Sequence, residues 1–93
     1  MHYTYVLLSE RDRGFYTGST SDLRSRVRQH VSGRVRSTSY RKPLVLIYYE
    51  ACLDLSDARR RERFLKTGKG KRYLKNRVAA SLLQIRSHEL ERH

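Results

Sequence analysis

The longest unbroken apolar run in the chain is Leu44-Val45-Leu46-Ile47-Tyr48-Tyr49, which ends at Glu50. A bilayer-crossing helix needs roughly 20 residues, so this run is too short to span a membrane. Its β-branched and aromatic content reads as a strand. Continuous apolarity predicts burial on both faces, in the middle of a sheet. The 93 residues allow one domain rather than two. A chain of this size hides only about 60–65% of its unfolded surface, so the core must be small.

The other elements follow from local pattern. Tyr3-Thr4-Tyr5-Val6-Leu7-Leu8 reads as a first strand and Phe15-Tyr16-Thr17-Gly18 as a second. The polar turn Glu10-Arg11-Asp12-Arg13-Gly14 between them predicts a hairpin. Ser19-Thr20-Ser21-Asp22 offers N-cap candidates for a helix running to His30 or Val31, with Leu23, Val27 and Val31 at helical spacing. Ser32-Gly33 stops it, and residues 33–42 form a basic, hydroxyl-rich loop. After the Leu44–Glu50 strand, Asp54 or Ser56 caps a second helix to Lys66, and Thr67-Gly68-Lys69-Gly70 breaks it. A third helix is expected from Lys71 to Leu83, carrying Leu74, Val78 and Leu82. Residues 1–83 are read as the domain and 84–93 as a polar, fraying tail. The order β-β-α-β-α-α is not the alternation of a doubly wound sheet. It predicts an α+β fold, a small three-stranded, mainly antiparallel sheet flanked by helices.

Charge narrows the function. With 21 Lys and Arg against 9 Asp and Glu, the chain carries +12. Such an excess calls for a polyanion, and nucleic acid leads because bound phosphates release counterions. A membrane surface would want the charge gathered on one amphipathic helix, whereas here it is spread along the chain, so no membrane partner is expected. The single Cys52 excludes an intramolecular disulfide and a Cys-based zinc finger. Met1-His2-Tyr3-Thr4 lacks a basic leader followed by a long apolar stretch. A reducing, cytoplasmic setting is the expectation.

Counting residues tests the nuclease chemistries. A two-metal site needs several converging carboxylates, but most of the acids fall in turns, helix starts or the tail. The histidines, His2, His30, His88 and His93, show no paired ligand spacing. Glu62 stands apart, four residues after Ala58 and three before Leu65, on the apolar side of its helix. An ordinary Glu in Arg59-Arg60-Arg61-Glu62-Arg63 would be a solvated ion-pair partner. An inward one can hold a single Mg²⁺ whose other ligands are water and phosphate. Arg26 and His30, four residues apart, lie beside the Leu23/Val27 stripe and so along the sheet-facing edge, where a snorkelling Arg is the plain alternative. Tyr5 and Tyr16, eleven residues apart on the two hairpin strands, can come close together.

Together these residues resemble the GIY-YIG endonuclease family, which includes the N-terminal nuclease domain of the bacterial excinuclease C subunit, a DNA-repair enzyme. Tyr3-Thr4-Tyr5 stands in the first family motif and Tyr16-Thr17-Gly18 in the second. Arg26, ten residues beyond Tyr16, and His30 match the helix that follows. Glu62 matches the metal-binding Glu, and Asn76 in Tyr73-Leu74-Lys75-Asn76-Arg77 is the candidate for a downstream Asn. The likeness spans residues 3–83 and is closest to small single-domain members. The first motif lacks Gly and Ile, and Thr17 stands where Ile or Val is usual, but both tyrosines remain.

The resemblance implies metal-dependent hydrolysis of phosphodiester bonds in nucleic acid, DNA ahead of RNA. Glu62 would hold Mg²⁺ or Mn²⁺, and Arg26 would meet the charge on the phosphate. Tyr5, ahead of Tyr16, would take the proton of water, His30 would share that network, and Asn76 would position Glu62 or a phosphate. Arg34, Arg36, Arg41, Lys42, Lys66, Lys69, Lys71 and Arg72 are the expected phosphate contacts. With no second domain to read a target, selectivity would come from nucleic-acid structure or a protein partner. The alternatives are a non-catalytic binding module, a protein docked on ribosomal RNA, and a metal-free ribonuclease pairing His30 with His88.

Overall fold

The sheet is organised around its first strand. In the computed structural model, which describes residues 1–91 and side chains through residue 87, β1 (His2–Ser9) lies between β2 (Phe15–Thr20) and β3 (Leu44–Cys52), giving the order β2-β1-β3. Both pairings are antiparallel, with Tyr5 opposite Gly18 on one side and Tyr49 on the other. Residues Thr4 to Ser9 are all buried, as a strand covered on both faces and both edges must be. The α+β class and the three-stranded antiparallel sheet are those expected from the sequence.

The position of the Leu44 run differs from expectation. β3 is an edge strand, and β1 takes the centre. Nor is the run buried on both faces: only Leu44 is buried, Val45 to Tyr48 are half-buried and Tyr49 is 54% exposed, because an edge strand leaves one side open. A bulge adds to the effect. The register slips between Val6 and Leu7, so Tyr48 faces Val6 while Leu46 faces Leu7, and Ile47 is the extra residue. Leu44 and Leu46 therefore pack with Tyr5 and Leu7, whereas Ile47 and Tyr48 pack with Val6.

The hairpin turn places Arg13 in the left-handed region at φ 63°. Asp12 holds it by accepting from the Gly14 amide at 2.7 Å and pairing with Arg41. Helix α1 (Leu23–Val31) is capped by Asp22, whose carboxylate accepts from the Ser25 amide at 3.1 Å. It lays Leu23 and Val27 on the face that carries Tyr5, Leu7 and Leu44. The loop that follows is not wholly irregular: it holds one 3-10 turn at Ser39–Arg41. Asp54, rather than Ser56, caps α2 (Leu55–Leu65), accepting from the Ser56 amide at 2.7 Å. A cap of this kind is worth about 1 kcal/mol.

The segment Thr67-Gly68-Lys69-Gly70 ends α2 but also starts the next helix. Thr67 caps α3 (Gly68–Arg77) through the Gly70 amide. Gly70 sits against the last turn of α2, where a side chain would collide with the Phe64 carbonyl. Close approach, not helix breaking, is the reason for this glycine. The expected single helix from Lys71 is thus two, because the backbone turns at Val78 and α4 (Ala79–Glu91) follows. That helix runs through residues read as a fraying tail; residues 92–93 and the side chain of His88 lie outside the described residues. Leu65 and Leu74 close the second core cluster against Val6. No helix among the described residues is long and apolar enough to cross a membrane.

Candidate active site

Strand alternation and helical period bring four distant residues to the β2 side of the sheet. Tyr5 and Gly18 face each other across the hairpin on the α1 side. A Cβ at Gly18 would stand 2.5 Å from the Tyr5 hydroxyl oxygen, so glycine there leaves room for the ring. Tyr16 lies further along the same face, its ring centroid 6.4 Å from that of Tyr5. His30, in the last turn of α1, fits against both, at 5.6 Å from Tyr5 and 5.0 Å from Tyr16. It is fully buried.

Hydrogen bonds order this cluster. The Tyr5 hydroxyl is 2.8 Å from His30 Nε2, and His30 Nδ1 is 2.7 Å from Thr38 Oγ1. Burial, and then the charge of Arg26, lowers the His30 pKa to about 4, so the imidazole is neutral at neutral pH. Burial raises the Tyr5 hydroxyl above its ordinary value, and a hydrogen bond from Arg26 only partly offsets it. The half-buried Arg26 also donates to Gln29 Oε1 at 3.0 Å. Its guanidinium therefore acts on the Tyr5 hydroxyl while tied back to its own helix.

Glu62 approaches from the other face. Its neighbours Ala58 and Leu65 are buried against the sheet, which brings the half-buried carboxylate to the β2 edge. Burial opposes its ionisation, but hydrogen bonds from Ser19 and Lys66 and the charges of Lys66 and Arg59 outweigh this and hold the carboxyl below its usual range. The Lys66 ammonium is 3.0 Å away. The charge of Glu62 reaches Tyr5 and adds to the upward pressure on its hydroxyl.

The remaining sequence candidates are dispersed. Asn76 is exposed on α3 and takes no part in the hydrogen bonds of this cluster. Arg41 is committed to Asp12 through two contacts of 2.8 and 3.1 Å. Arg34, Arg36 and Lys42 are exposed on the loop after α1, and Lys69 and Arg72 on α3. Lys66 and Lys71 line a cleft with Tyr16, Thr17 and Leu65 at the β2 edge. An adjoining cleft holds Lys71, Lys75 and Arg13 beside Phe15. Lys75 and Thr38 carry no mark in the sequence that points to this site, and Ser19, an N-cap candidate by sequence, instead lies in β2 and bonds Glu62. Lys75 is one of many lysines, and an isolated hydroxyl residue carries no periodic signal.

The model of the GIY-YIG catalytic domain matches residues 1–76. The chain belongs to the GIY-YIG family. It is 37% identical over 67 residues to a UPF0213 protein of Staphylococcus haemolyticus, covering 71% of this chain and 80% of that one. A UPF0213 protein of Pediococcus acidilactici is 39% identical over 80 residues, 80% of this chain and 81% of the other. The solution NMR structure of a UPF0213 protein from Bacillus halodurans superposes with a TM-score of 0.52 at 32% identity, covering 81% and 82% of the two chains. The GIY-YIG fold of this protein is therefore that of a nuclease family and of its small UPF0213 members.

Proposed function

We propose that this GIY-YIG protein is an endonuclease that hydrolyses phosphodiester bonds in nucleic acid, DNA in preference to RNA. The observation that carries the reading is the buried Tyr5–His30 hydrogen bond, lying within reach of the charges of Arg26 and Glu62. A packing role alone does not call for an anionic carboxylate, a neutral imidazole and a guanidinium around one buried hydroxyl.

The donor set fits a single hard cation. Glu62 is half-buried with its carboxyl held below the usual range, and among the described residues no three or more His, Cys, Asp or Glu are placed to hold a metal ion together. One carboxylate suffices for Mg²⁺ or Mn²⁺ that keeps water and takes phosphate oxygens. Bound there, such an ion supplies Lewis acidity to the phosphate and charge opposite the leaving 3′-oxygen.

The chain's own residues do the rest. A phosphate entering the site draws the Arg26 guanidinium from the Tyr5 hydroxyl onto its non-bridging oxygens, where charge builds in the transition state. That movement uncovers Tyr5. The attacking water gives its proton to the Tyr5 oxygen as the Tyr5 proton passes to His30 Nε2. The water oxygen bonds to phosphorus, and the bond to the 3′-oxygen breaks. A phenol with a pKa near 10 is a poor base alone; relay of its proton to His30 Nε2, 2.8 Å away, draws on the withdrawal of the Arg26 charge, because burial and that charge hold the His30 pKa at about 4. Lys66 and Lys71 contact the flanking backbone, mostly without reading sequence. Selectivity then rests on nucleic-acid structure or on a protein partner.

The test is cleavage of labelled single-stranded, duplex and flap DNA and matching RNA, with Mg²⁺, Mn²⁺ or EDTA. Wild type is expected to cut only with metal. Glu62→Gln is expected to bind but not cut. Binding without cutting by wild type on every substrate would overturn the reading.

A further inference from the structure

The imidazole of His30 has no exposed surface, and each of its nitrogens has one partner. A neutral imidazole carries one proton, so one nitrogen donates and the other accepts. Which is which decides whether Tyr5 can pass a proton to it. The partners' own hydrogen-bonding capacity settles the question.

The Tyr5 hydroxyl has its close contact with His30 Nε2 at 2.8 Å, and the nearby Arg26 guanidinium can only donate. Were His30 protonated on Nε2, the Tyr5 oxygen would only accept, and its own proton would have no partner among these groups. Tyr5 is 1% exposed, so that proton would be lost to hydrogen bonding in a buried place. On the other side, Thr38 is also fully buried, and the acceptor its hydroxyl can turn to is the Val35 carbonyl at 3.5 Å, a long contact to an oxygen that also takes the Ser39 amide at 2.9 Å. The Thr38 amide donates to the same carbonyl at 3.1 Å, which fixes the residue over the turn. Thr38 Oγ1 can therefore pass its proton to Val35 and accept from His30 Nδ1. One direction leaves the buried Tyr5 proton paired: Tyr5 to His30 Nε2, His30 Nδ1–H to Thr38, with the Thr38 hydroxyl turned toward the Val35 carbonyl.

We propose that Thr38 is a positioning residue that holds His30 as the Nδ1–H tautomer, so that the bare Nε2 faces the Tyr5 hydroxyl as its proton acceptor. The tautomer at one nitrogen is set by the bond the other makes. The loop after α1 thus has two functions. Arg34 and Arg36 are exposed, while its one buried hydroxyl reaches inward to the catalytic histidine. The catalytic consequence rests on the nuclease reading above; the tautomer itself does not.

The experiment uses the full chain labelled with ¹⁵N in its histidines. Long-range ¹H–¹⁵N correlation spectra identify which His30 nitrogen is protonated, without substrate or metal. Wild type is expected to show Nδ1 protonated and Nε2 bare. Thr38→Val keeps the side-chain volume but removes the hydroxyl. It is expected to shift His30 toward the Nε2–H form and to lower kcat about 10²-fold, with KM unchanged. Thr38→Ser is expected to restore both tautomer and kcat. An Nε2–H signal in wild type overturns the proposal, and so does a Thr38→Val protein that keeps the wild-type tautomer. If wild type has the expected tautomer but cuts nothing, the nuclease reading fails and the assignment to Thr38 stands. If cutting depends on Tyr5 but not on the Thr38 hydroxyl, the proposal alone fails.

Discussion

The hydroxyl of Tyr5 lies 2.8 Å from Nε2 of His30, joining the middle of the central strand to the last turn of the first helix. These residues are 25 positions apart in the chain, and both are buried. Their contact exists because Gly18, across the hairpin, leaves room for the tyrosine ring.

Gly18→Ala tests that room. The added methyl would stand 2.5 Å from the Tyr5 oxygen and 2.7 Å from Cζ. The ring must move, breaking the bond to His30. Overpacking of this kind costs about 1–3 kcal/mol. A lower denaturant midpoint with loss of cleavage is the expected outcome. Full activity in Gly18→Ala would show that the position of the Tyr5 ring is not critical.

The buried imidazole gives a pH signature. The pKa of His30 falls from 6.5 to about 4, chiefly by burial and then by the charge of Arg26. The unfolded chain therefore takes up this proton first, and folded-state stability rises with pH across the interval. The contribution is complete above pH 6.5 and is lost as pH falls toward 4. Urea midpoints at the two ends of that window should fall further for wild type than for His30→Gln. Equal falls would place the acid sensitivity elsewhere.

The basic residues separate into two groups. Lys71 lines the clefts at the β2 edge and is exposed, whereas Arg41 is engaged bidentately by Asp12. Lys71→Ala should weaken binding on all sequences alike and reduce the log–log salt slope by about 1. Arg41→Ala should leave that slope nearly unchanged and lower stability through the hairpin turn. Fluorescence anisotropy across a salt series measures both. A full unit of slope lost with Arg41 and none with Lys71 would reverse the assignment.

Much of the site could be read from spacing. Arg26 and His30 follow the Leu23/Val27 stripe, and Glu62 falls between Ala58 and Leu65, so helical period alone turns all three toward the sheet. The hairpin brings Tyr5 and Tyr16 together by strand pairing. Other features have no local signature. The edge position of β3 is set by where the chain crosses over, and the bulge at Ile47 hides the alternation that would have marked its two faces. Gly68 and Gly70 read as helix breakers because their role depends on the Thr67 cap and on contact with α2. Thr38 lies among other hydroxyl residues of the loop, and only the fold distinguishes it.

The most direct measurement is single-turnover cleavage by Tyr5→Phe beside Tyr16→Phe, with metal and saturating enzyme. Each variant removes one hydroxyl and keeps its ring. Tyr5→Phe is expected to lose cleavage by about 10²–10⁴-fold with folding and binding intact, and Tyr16→Phe to lose less. Wild-type rates in Tyr5→Phe would contradict the assignment of the Tyr5–His30 pair as the base.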